Sequence, residues 1–277
     1  MKIELDGTTA LVTGSTQGIG FAIARGLAAA GARVIVNGRS TETTGAARAR
    51  LLDSLAGDAA FAALDAGTRE ARVVTLAADL ANEAGAQAAV EAFPEVDLLV
   101  NNLGVFGSAD ALSIDDDEWR RYFETNVLSA VRLTRAYLPG MMERGWGRVQ
   151  YIASDSAIVT PVEMIHYGVS KTALLGVSRG FAKAAAGSGV TVNSVIAGPT
   201  HTGGVEEFVR ELVGDDLPWD EAQHEFMLKH RPQSLIQRLI EPEEIANMVV
   251  YLSSRFASAT TGGALRVDGG YVDAIVP

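Results

Sequence analysis

A tyrosine and a lysine four positions apart are the clearest sign of chemistry in this chain. Tyr167 and Lys171 lie in the segment His-Tyr-Gly-Val-Ser-Lys, and an i,i+4 spacing places both side chains on one face of a helix. A phenol is a poor acid or base at neutral pH, because its usual pKa is about 10. A lysine cation beside the phenol favours the phenolate and lowers that pKa toward the working pH. The pair therefore predicts a tyrosine that acts as a general acid or base.

A serine upstream extends this candidate catalytic group. Ser154 lies at the predicted end of a strand, ahead of the helix that carries Tyr167. Its hydroxyl could hold a substrate oxygen from the side opposite to the phenol. Because tyrosine and lysine also meet at this spacing by chance in amphipathic helices, the interpretation depends on the rest of the chain.

A glycine-rich turn near the N-terminus predicts a phosphate site. Gly14, Gly18 and Gly20 follow a short β-branched run at 8–13 and open a helical stretch that reaches Ala30. A strand, a glycine turn and a helix together direct backbone N–H groups and the positive end of the helix at a phosphate. The spacing is neither the GxGxxG fingerprint nor a P-loop, since no lysine follows Gly20.

The elements that must position these residues alternate along the chain. Their order predicts an α/β fold, a doubly wound Rossmann-type parallel seven-stranded sheet with helices on both faces. The predicted strands are 10–13, 33–37, 72–77, 98–101, 148–153, 191–196 and 264–267. The predicted helices are 18–30, 85–92, 117–142, 162–187 and 242–254.

Two segments are longer than such a sheet requires. Residues 40–70 are rich in alanine and broken by Gly45, Gly57 and Gly67, which predicts two short helices in a tolerated surface insertion. Residues 203–241 follow the end of a strand and contain helical patterns at 205–213 and 220–229. Loops at the carboxyl ends of strands line the ligand crevice, so this segment is predicted to be a substrate lid.

Composition predicts a single enzyme domain over residues 1–277. Apolar residues make up 48% of the chain but lie in short runs, none approaching the ~20 that a membrane helix needs. The first residues lead almost directly into a strand, so no targeting leader is expected. The absence of cysteine excludes disulfides and thiolate chemistry and fits a cytoplasmic protein. A net charge of −11 argues against nucleic acid or anionic membrane as partners.

Two other kinds of site are excluded by spacing. His224 and His230 are six positions apart, whereas a zinc helix of the HExxH type needs four, so no metal is expected. Ser154, Asp155 and His166 do not indicate a hydrolase, because no GxSxG elbow is present.

Together, the motifs resemble those of the short-chain dehydrogenase/reductase family over nearly the whole chain. They follow the family's order, and they depart from its usual pattern at Leu103, where alanine is usual, and at Ala197, where proline is usual. In chain order the motifs are Thr-Gly-Ser-Thr-Gln-Gly-Ile-Gly at 13–20, Asp79-Leu80, Asn-Asn-Leu-Gly at 101–104, Asn126, Ser154, Tyr167 with Lys171, the segment 193–202 and Val-Asp-Gly-Gly at 267–270.

The resemblance implies hydride transfer between a nicotinamide cofactor and a carbonyl or alcohol carbon. Tyr167 would move the proton, Ser154 would hold the substrate oxygen, and Lys171 would also bind the nicotinamide ribose. Asn126 would kink its helix and anchor a water chain from Lys171 to solvent. The residues expected to contact the cofactor are Gly14, Ser15, Gln17, Gly18, Ile19, Gly20, Arg39, Ser40, Asp79, Leu80, Asn102, Gly104, Tyr167, Lys171, Gly198, Thr200 and Thr202.

The end of the second strand predicts NADP(H) as the preferred cofactor, with NAD(H) as the alternative. NAD-specific relatives place an aspartate where Gly38 stands. Here Arg39 follows with a donor fork that suits a phosphate, and Ser40 adds a hydroxyl. Against this, Gln17 in the glycine turn is neutral, where many NADP-dependent relatives have a basic residue.

The substrate is expected to be a small carbonyl or alcohol compound in a mostly apolar pocket. Val105, Phe106, Ile158, Met164 and the lid are predicted to line it. A 3-oxoacyl-carrier reductase, a polyol, sugar or hydroxysteroid dehydrogenase, an epimerase or dehydratase, and a non-catalytic cofactor sensor remain alternatives. The resemblance also implies a homotetramer.

Overall fold

A seven-stranded parallel sheet forms the centre of the computed structural model, which describes residues 2–214 and 216–275. Its strand order is β3-β2-β1-β4-β5-β6-β7, and every neighbouring pair is parallel. The predicted fold class is therefore confirmed. The strands are β1 Thr9–Val12, β2 Arg33–Gly38, β3 Val73–Ala77, β4 Leu98–Asn101, β5 Gly147–Ser154, β6 Val190–Ala197 and β7 Ala264–Val267.

Helices connect the strands and cover both faces of the sheet. They are α1 Gly18–Ala29, α2 Thr41–Leu55, α3 Ala59–Ala62, α4 Ala66–Arg72, α5 Glu83–Ala92, α6 Asp116–Phe123, α7 Ser129–Glu143, α8 Ile165–Ala184, α9 Gly203–Val213, α10 Trp219–His230 and α11 Pro242–Ser253.

The central strands of the sheet are buried on both faces. Every position of β5 and β6 is buried, as expected of central parallel strands. One core packs α1, α2 and α11 against the sheet through residues such as Ile23, Leu51 and Val249. The other packs α5, α7 and α8 through Ala89, Leu133 and Leu174.

The long helix predicted at 117–142 is interrupted in the structure. A five-residue π-helical stretch, Glu124–Leu128, separates α6 from α7, and such widened turns recur at functional sites. Asn126 lies within it. The helix that the resemblance implied to be kinked at Asn126 therefore changes there to a π-helical turn. The helix predicted at 162–187 is shorter than expected, because a 3₁₀ turn at Val162–Met164 precedes α8.

The prediction of two short helices at 40–70 is wrong. Helix α2 is 15 residues long, and Leu51 and Leu55 bury themselves against the sheet. Arg48 ties it to the sheet by donating from Nε to the carbonyl oxygen of Val73, 2.7 Å away. Helix α2 is thus the crossover from β2 to β3, and only α3 and α4 are additional.

Among the residues that the structure describes, no helix is long and apolar enough to cross a membrane. Within those same ranges, no group of three histidine, aspartate or glutamate residues is placed to hold a metal ion. Asp215 of the predicted lid, together with Met1, Val276 and Pro277 of the predicted domain, lies outside the described residues.

Candidate active site

A cavity of about 320 Å³ opens at the carboxyl ends of the central strands. The glycine turn, the end of β5, helix α8, the loop after β6 and the start of α9 surround it. Parallel strands bring these carboxyl ends to one edge of the sheet, which is where ligands bind in such folds. The predicted site residues that line this cavity are Gln17, Gly18, Ile19, Gly20, Asn102, Gly104, Ser154, Tyr167, Lys171, Gly198, Thr200 and Thr202.

Other predicted cofactor residues lie beyond this cavity. Arg39 and Ser40 are exposed at the end of β2, and the Ser40 hydroxyl caps α2 by accepting from the Thr43 N–H at 3.2 Å. Asp79 follows β3 and accepts from the backbone N–H of Ala81 at 3.2 Å. Gly14, Ser15 and Leu80 of this set, and Asn126 of the predicted catalytic residues, also do not line the cavity.

The side chains of Ser15 and Leu80 have structural roles. Ser15 is fully buried and donates from Oγ to the carbonyl oxygen of Val12 at 2.7 Å, while it accepts from the N–H of Asn37 at 2.9 Å. Leu80 is 1% exposed and belongs to the core under α5 and α7. Their side chains hold the glycine turn and the loop after β3 in place.

The glycine turn can be built only with glycine at its key positions. Gly14 and Gly18 have φ values of +61° and +55°, in the left-handed region that side chains disfavour. A Cβ at Gly20 would lie 2.5 Å from both the Gly14 oxygen and the Asn102 Nδ2. Asn102 Nδ2 donates to the carbonyl oxygens of Thr13 and Gly14, at 2.9 and 3.1 Å, so it locks the turn.

Helix α1 begins directly at this turn without a side-chain cap. Gln17 precedes its first residue, Gly18, and makes no capping hydrogen bond. The first N–H groups of a helix need an acceptor, and a phosphate supplies one together with favourable charge. The residues here therefore fit the diphosphate of a dinucleotide.

Lys171 is directed at the sheet and not at the phenol of Tyr167. Its Nζ donates to the carbonyl oxygen of Ile152 at 2.8 Å and lies 5.7 Å from the centroid of the Tyr167 ring. Burial lowers the pKa of Lys171 to about 8. The ammonium is thus held deep in the cavity wall, where it loses most of its hydration.

The prediction that Lys171 lowers the pKa of Tyr167 is wrong for this arrangement. Tyr167 borders the cavity and is half-buried, and desolvation of its phenol raises the pKa above the ordinary value. The nearby Ser154 hydroxyl acts in the opposite direction but does not compensate. A phenol whose pKa is raised keeps its proton at neutral pH.

Ser154 is paired with the residue that follows it. Its Oγ donates to Oδ1 of Asp155 at 2.9 Å and accepts from the N–H of Ser156 at 3.2 Å. All three residues line the cavity. Burial raises the pKa of Asp155. Sequence reasoning considered Asp155 only as part of a rejected triad, although an acid directly after Ser154 was a visible signal.

Asn126 connects the loop after β4 to helix α8. Its Oδ1 accepts from the N–H of Val105 at 2.7 Å, and its Nδ2 donates to the Val105 oxygen at 3.0 Å and to Ser170 Oγ at 2.9 Å. A Cβ at Gly104 would lie 3.3 Å from both Asn126 Oδ1 and Lys171 Nζ. The π-helical stretch therefore places an amide beside the lysine.

Helices α9 and α10 close the cavity on the Tyr167 side. A third hydrophobic cluster joins them to Met164 and Tyr167 through Phe208 and Phe226. Thr202 caps α9 by accepting from the N–H of Val205 at 3.3 Å. These contacts place α9 and α10 beside Met164 and Tyr167.

The predicted substrate-pocket residues are only partly correct. Phe106 and Met164 line the cavity, but Val105 and Ile158 do not. Val105 is instead paired through its backbone with Asn126. Ile158 ends a 3₁₀ turn.

Among the predicted lid residues, Gly203 and Gly204 line the cavity as the first turn of α9. Of the basic residues of the lid segment, Arg231 lines the cavity, whereas Arg210 and Lys229 do not.

Comparison with known proteins agrees with this arrangement. Residues 14–272 match the family model described as enoyl-(acyl carrier protein) reductase. The chain is 49% identical to the uncharacterized oxidoreductase YvaG of Bacillus subtilis, covering 99% of this chain and 100% of that one. It is 32% identical to the D-beta-hydroxybutyrate dehydrogenase of Cupriavidus necator, covering 97% and 99%.

A solved structure of similar shape is the L-sorbose reductase of Gluconobacter frateurii in complex with NADPH and L-sorbose. Its TM-score is 0.87 and its sequence identity is 30%, over 99% of this chain and 100% of that one.

Proposed function

The chain belongs to the short-chain dehydrogenase/reductase family of oxidoreductases, and we propose that it is an NADP(H)-dependent reductase of ketones or aldehydes with Tyr167 as the general acid. The observation that carries this proposal is the meeting of Ser154, Tyr167 and Lys171 around one cavity at the start of α1. When bound, the nicotinamide supplies or accepts a hydride at the carbonyl carbon.

The protonated phenol of Tyr167 supports reduction as the direction of proton transfer. As the carbonyl carbon gains a hydride, its oxygen becomes an alkoxide and takes the Tyr167 proton. For this, the Ser154 hydroxyl would turn away from Asp155 Oδ1, to which it donates in this structure, and donate to the same oxygen. A donor aimed at developing charge stabilises the transition state. The products are the secondary or primary alcohol and the oxidised cofactor.

Lys171 and Asn126 support the return of a proton to Tyr167. The lysine titrates near pH 8, so it can release and regain a proton close to neutral pH. Asn126 lies beside it and is tied to both Val105 and Ser170. These contacts hold the amide of Asn126 in place next to the lysine.

The surroundings of Gly38 support NADP(H) over NAD(H). A Cβ at Gly38 would lie 2.6 Å from the Thr16 methyl carbon, so an aspartate would not fit there without a shift. Arg39 follows with an exposed guanidinium. An NADPH complex is also described for the similar L-sorbose reductase.

Arg50 is a second cation beside the glycine turn, and it was not identified from the sequence. Arg50 of α2 donates from Nη2 to the carbonyl oxygen of Thr16 at 2.5 Å and covers the Phe21 ring at 5.1 Å. It brings a positive charge to the turn in which Gln17 is neutral. Arg39 and Arg50 would together hold the 2′-phosphate.

The direct test is a panel of ketones and aldehydes, including 3-oxoacyl thioesters, assayed by nicotinamide absorbance with each cofactor. We expect turnover with at least one carbonyl compound and a higher kcat/KM with NADPH than with NADH. A chain that binds NADPH but reduces no carbonyl compound would instead be a cofactor sensor. The absence of cysteine supports a cytoplasmic enzyme.

A further inference from the structure

One carboxylate oxygen in the wall of the active-site cavity has no partner. Asp155 is 6% exposed, and its Oδ1 accepts from Ser154 Oγ at 2.9 Å and Ser156 Oγ at 3.4 Å. Its Oδ2 is buried and makes no hydrogen bond. Buried polar atoms are almost always paired, so an exception in a cavity wall points to a partner that arrives with a ligand.

A donor of the opposite charge lies in the same cavity wall. Arg231 follows α10, and its guanidinium lies over the rings of Phe226 and Tyr271, 5.4 and 5.5 Å from their centroids. Its Nη1 donates to the carbonyl oxygen of His230 at 2.7 Å. Burial raises the pKa of Asp155, and the charge of Arg231 opposes that rise.

Arg231 and Asp155 line the same cavity but make no hydrogen bond with each other. The wall of the cavity therefore contains a carboxylate with one unpaired, buried oxygen and a guanidinium. A substrate carboxylate would be repelled by Asp155, and an ammonium group would be repelled by Arg231. An apolar group would leave both without a partner. A hydroxyl group is both a donor and an acceptor, so it satisfies both residues at once.

The link from Asp155 to Ser154 sets where that hydroxyl lies on the substrate. Ser154 would hold the reacting oxygen, and Asp155 is the next residue and its hydrogen-bond partner. A group at the other oxygen of Asp155 is therefore close to the reacting carbonyl. We propose that Asp155 and Arg231 bind a hydroxyl group on the carbon next to the carbonyl, so that the substrate is an α-hydroxy ketone or aldehyde of the sugar or polyol type. This inference rests on the proposed function.

The test compares two isomeric ketones that differ in one proton donor. In 1-hydroxy-2-butanone the oxygen next to the carbonyl can donate, whereas in 1-methoxy-2-propanone it can only accept. Both substituents activate the carbonyl to a similar degree, so the ratio of their kcat/KM values with NADPH reports recognition of the hydroxyl. We expect the wild type to prefer the hydroxy ketone by roughly ten- to a hundredfold, as for a hydrogen bond to a charged group.

Variants assign that preference to the two residues. In Asp155→Leu and Arg231→Leu the ratio should fall to near one, whatever the absolute rate of either variant. The control is Ser156→Ala, which removes a neighbour of Asp155 Oδ1 and leaves Oδ2 as it is, and it should keep the wild-type ratio. Calorimetry of 1,2-butanediol and 2-butanol with the NADP complex gives a second measure that does not need turnover, with the diol expected to bind tighter in the wild type only.

The outcomes separate this inference from the proposed function. Turnover of both ketones at similar kcat/KM, with equal binding of diol and alcohol, overturns the recognition of a hydroxyl and leaves the reductase in place. A preference that survives in Asp155→Leu and Arg231→Leu also overturns it. No NADPH oxidation with any ketone and no binding of the diol would overturn both.

Discussion

Lys171 donates a hydrogen bond from Nζ to the carbonyl oxygen of Ile152 across 2.8 Å. The contact fixes the end of a long, otherwise flexible side chain to the central strand β5. The ammonium therefore approaches Tyr167 from a set position, although it does not touch the phenol.

Replacing Tyr167 by phenylalanine should remove the proton donor and leave the fold intact. We expect turnover to fall by ~10²–10⁴, the usual loss for a general acid, with NADPH affinity close to that of the wild type. Steady-state kinetics and a fluorescence titration with NADPH measure the two effects separately. A variant with near-normal turnover would show that another group supplies the proton.

The buried lysine should make stability depend on pH. Because the pKa of Lys171 is lowered from 10.5 to about 8, the folded state carries the full cost of burying the cation below pH 8. Between pH 8 and 10.5 the unfolded state binds more protons, so stability rises with pH. At about 1.4 kcal/mol for each pH unit between the two pKa values, this amounts to roughly 3 kcal/mol.

Urea unfolding of Lys171→Met at several pH values checks this. The free energy of unfolding of the variant, measured relative to that of the wild type, should be highest below pH 8 and should fall as the pH rises. The lost hydrogen bond to Ile152 shifts the difference equally at every pH. Lys183→Met, at an exposed position of α8, is the control. A difference that does not vary with pH would mean that Lys171 titrates normally.

Arg39 and Arg50 should determine the affinity for NADPH. Losing a charge-assisted contact costs about 1.5–3 kcal/mol, so Arg39→Ala and Arg50→Ala should each weaken NADPH binding by roughly ten- to more than a hundredfold. The affinity for NADH should change little in both.

Arg135→Ala, on the exposed face of α7, controls for the loss of one positive charge. Equal losses for both cofactors would indicate a structural role for these arginines. A wild-type kcat/KM higher with NADH than with NADPH would contradict the cofactor preference itself.

Helices α7 and α8 should form part of a subunit interface in a homotetramer, with β7 in a second contact. Val169 of α8 and Leu128 before α7 are both exposed. Gly176 on α8 is exposed, and a Cβ there would meet nothing within 4 Å, so a large side chain would fit the monomer and block a close partner. Light scattering should give a wild-type mass near four times the 29.1 kDa of one chain.

Gly176→Arg should lower that mass. Gly45→Arg is a matched control, because Gly45 lies on the exposed face of α2 with the same open surroundings. The mass of the assembly formed by this variant should equal that of the wild type. A wild-type mass near the 29.1 kDa of one chain would contradict the predicted tetramer.

The sheet was predictable from sequence because its strands are short runs, most of them buried, that alternate with helical patterns. Boundaries at β4 and β7 agree with the prediction. Strands β2 and β3 differ by one residue at one end, and β1, β5 and β6 differ by one residue at both ends. The error at 40–70 has a local cause. Gly45 was interpreted as a helix break, but on a solvated face of a helix a glycine costs only about 1 kcal/mol, and burial of Leu51 and Leu55 outweighs it.

The residues proposed as catalytic were identified from their motifs, and Ser154, Tyr167 and Lys171 line one cavity, but their electrostatics were not predictable from the sequence. The pKa of Tyr167 depends on desolvation by residues from α9 and α10, which the spacing of Tyr167 and Lys171 does not contain. The same holds for Asp155 and Arg231, which are 76 positions apart and meet only because the lid segment returns to the end of β5. The π-helical turn at Asn126 likewise depends on its pairing with Val105.

The 2.6 Å approach of a Cβ at Gly38 to the Thr16 methyl carbon also limits how this enzyme can change during evolution. A carboxylate at position 38 would need space that Thr16 occupies, so a mutation to aspartate there would first disturb the glycine turn. If Thr16 is first replaced by a smaller residue, the same mutation becomes tolerable. A lineage that moves toward NAD(H) would therefore acquire the two substitutions in that order, with Thr16 as the permissive step.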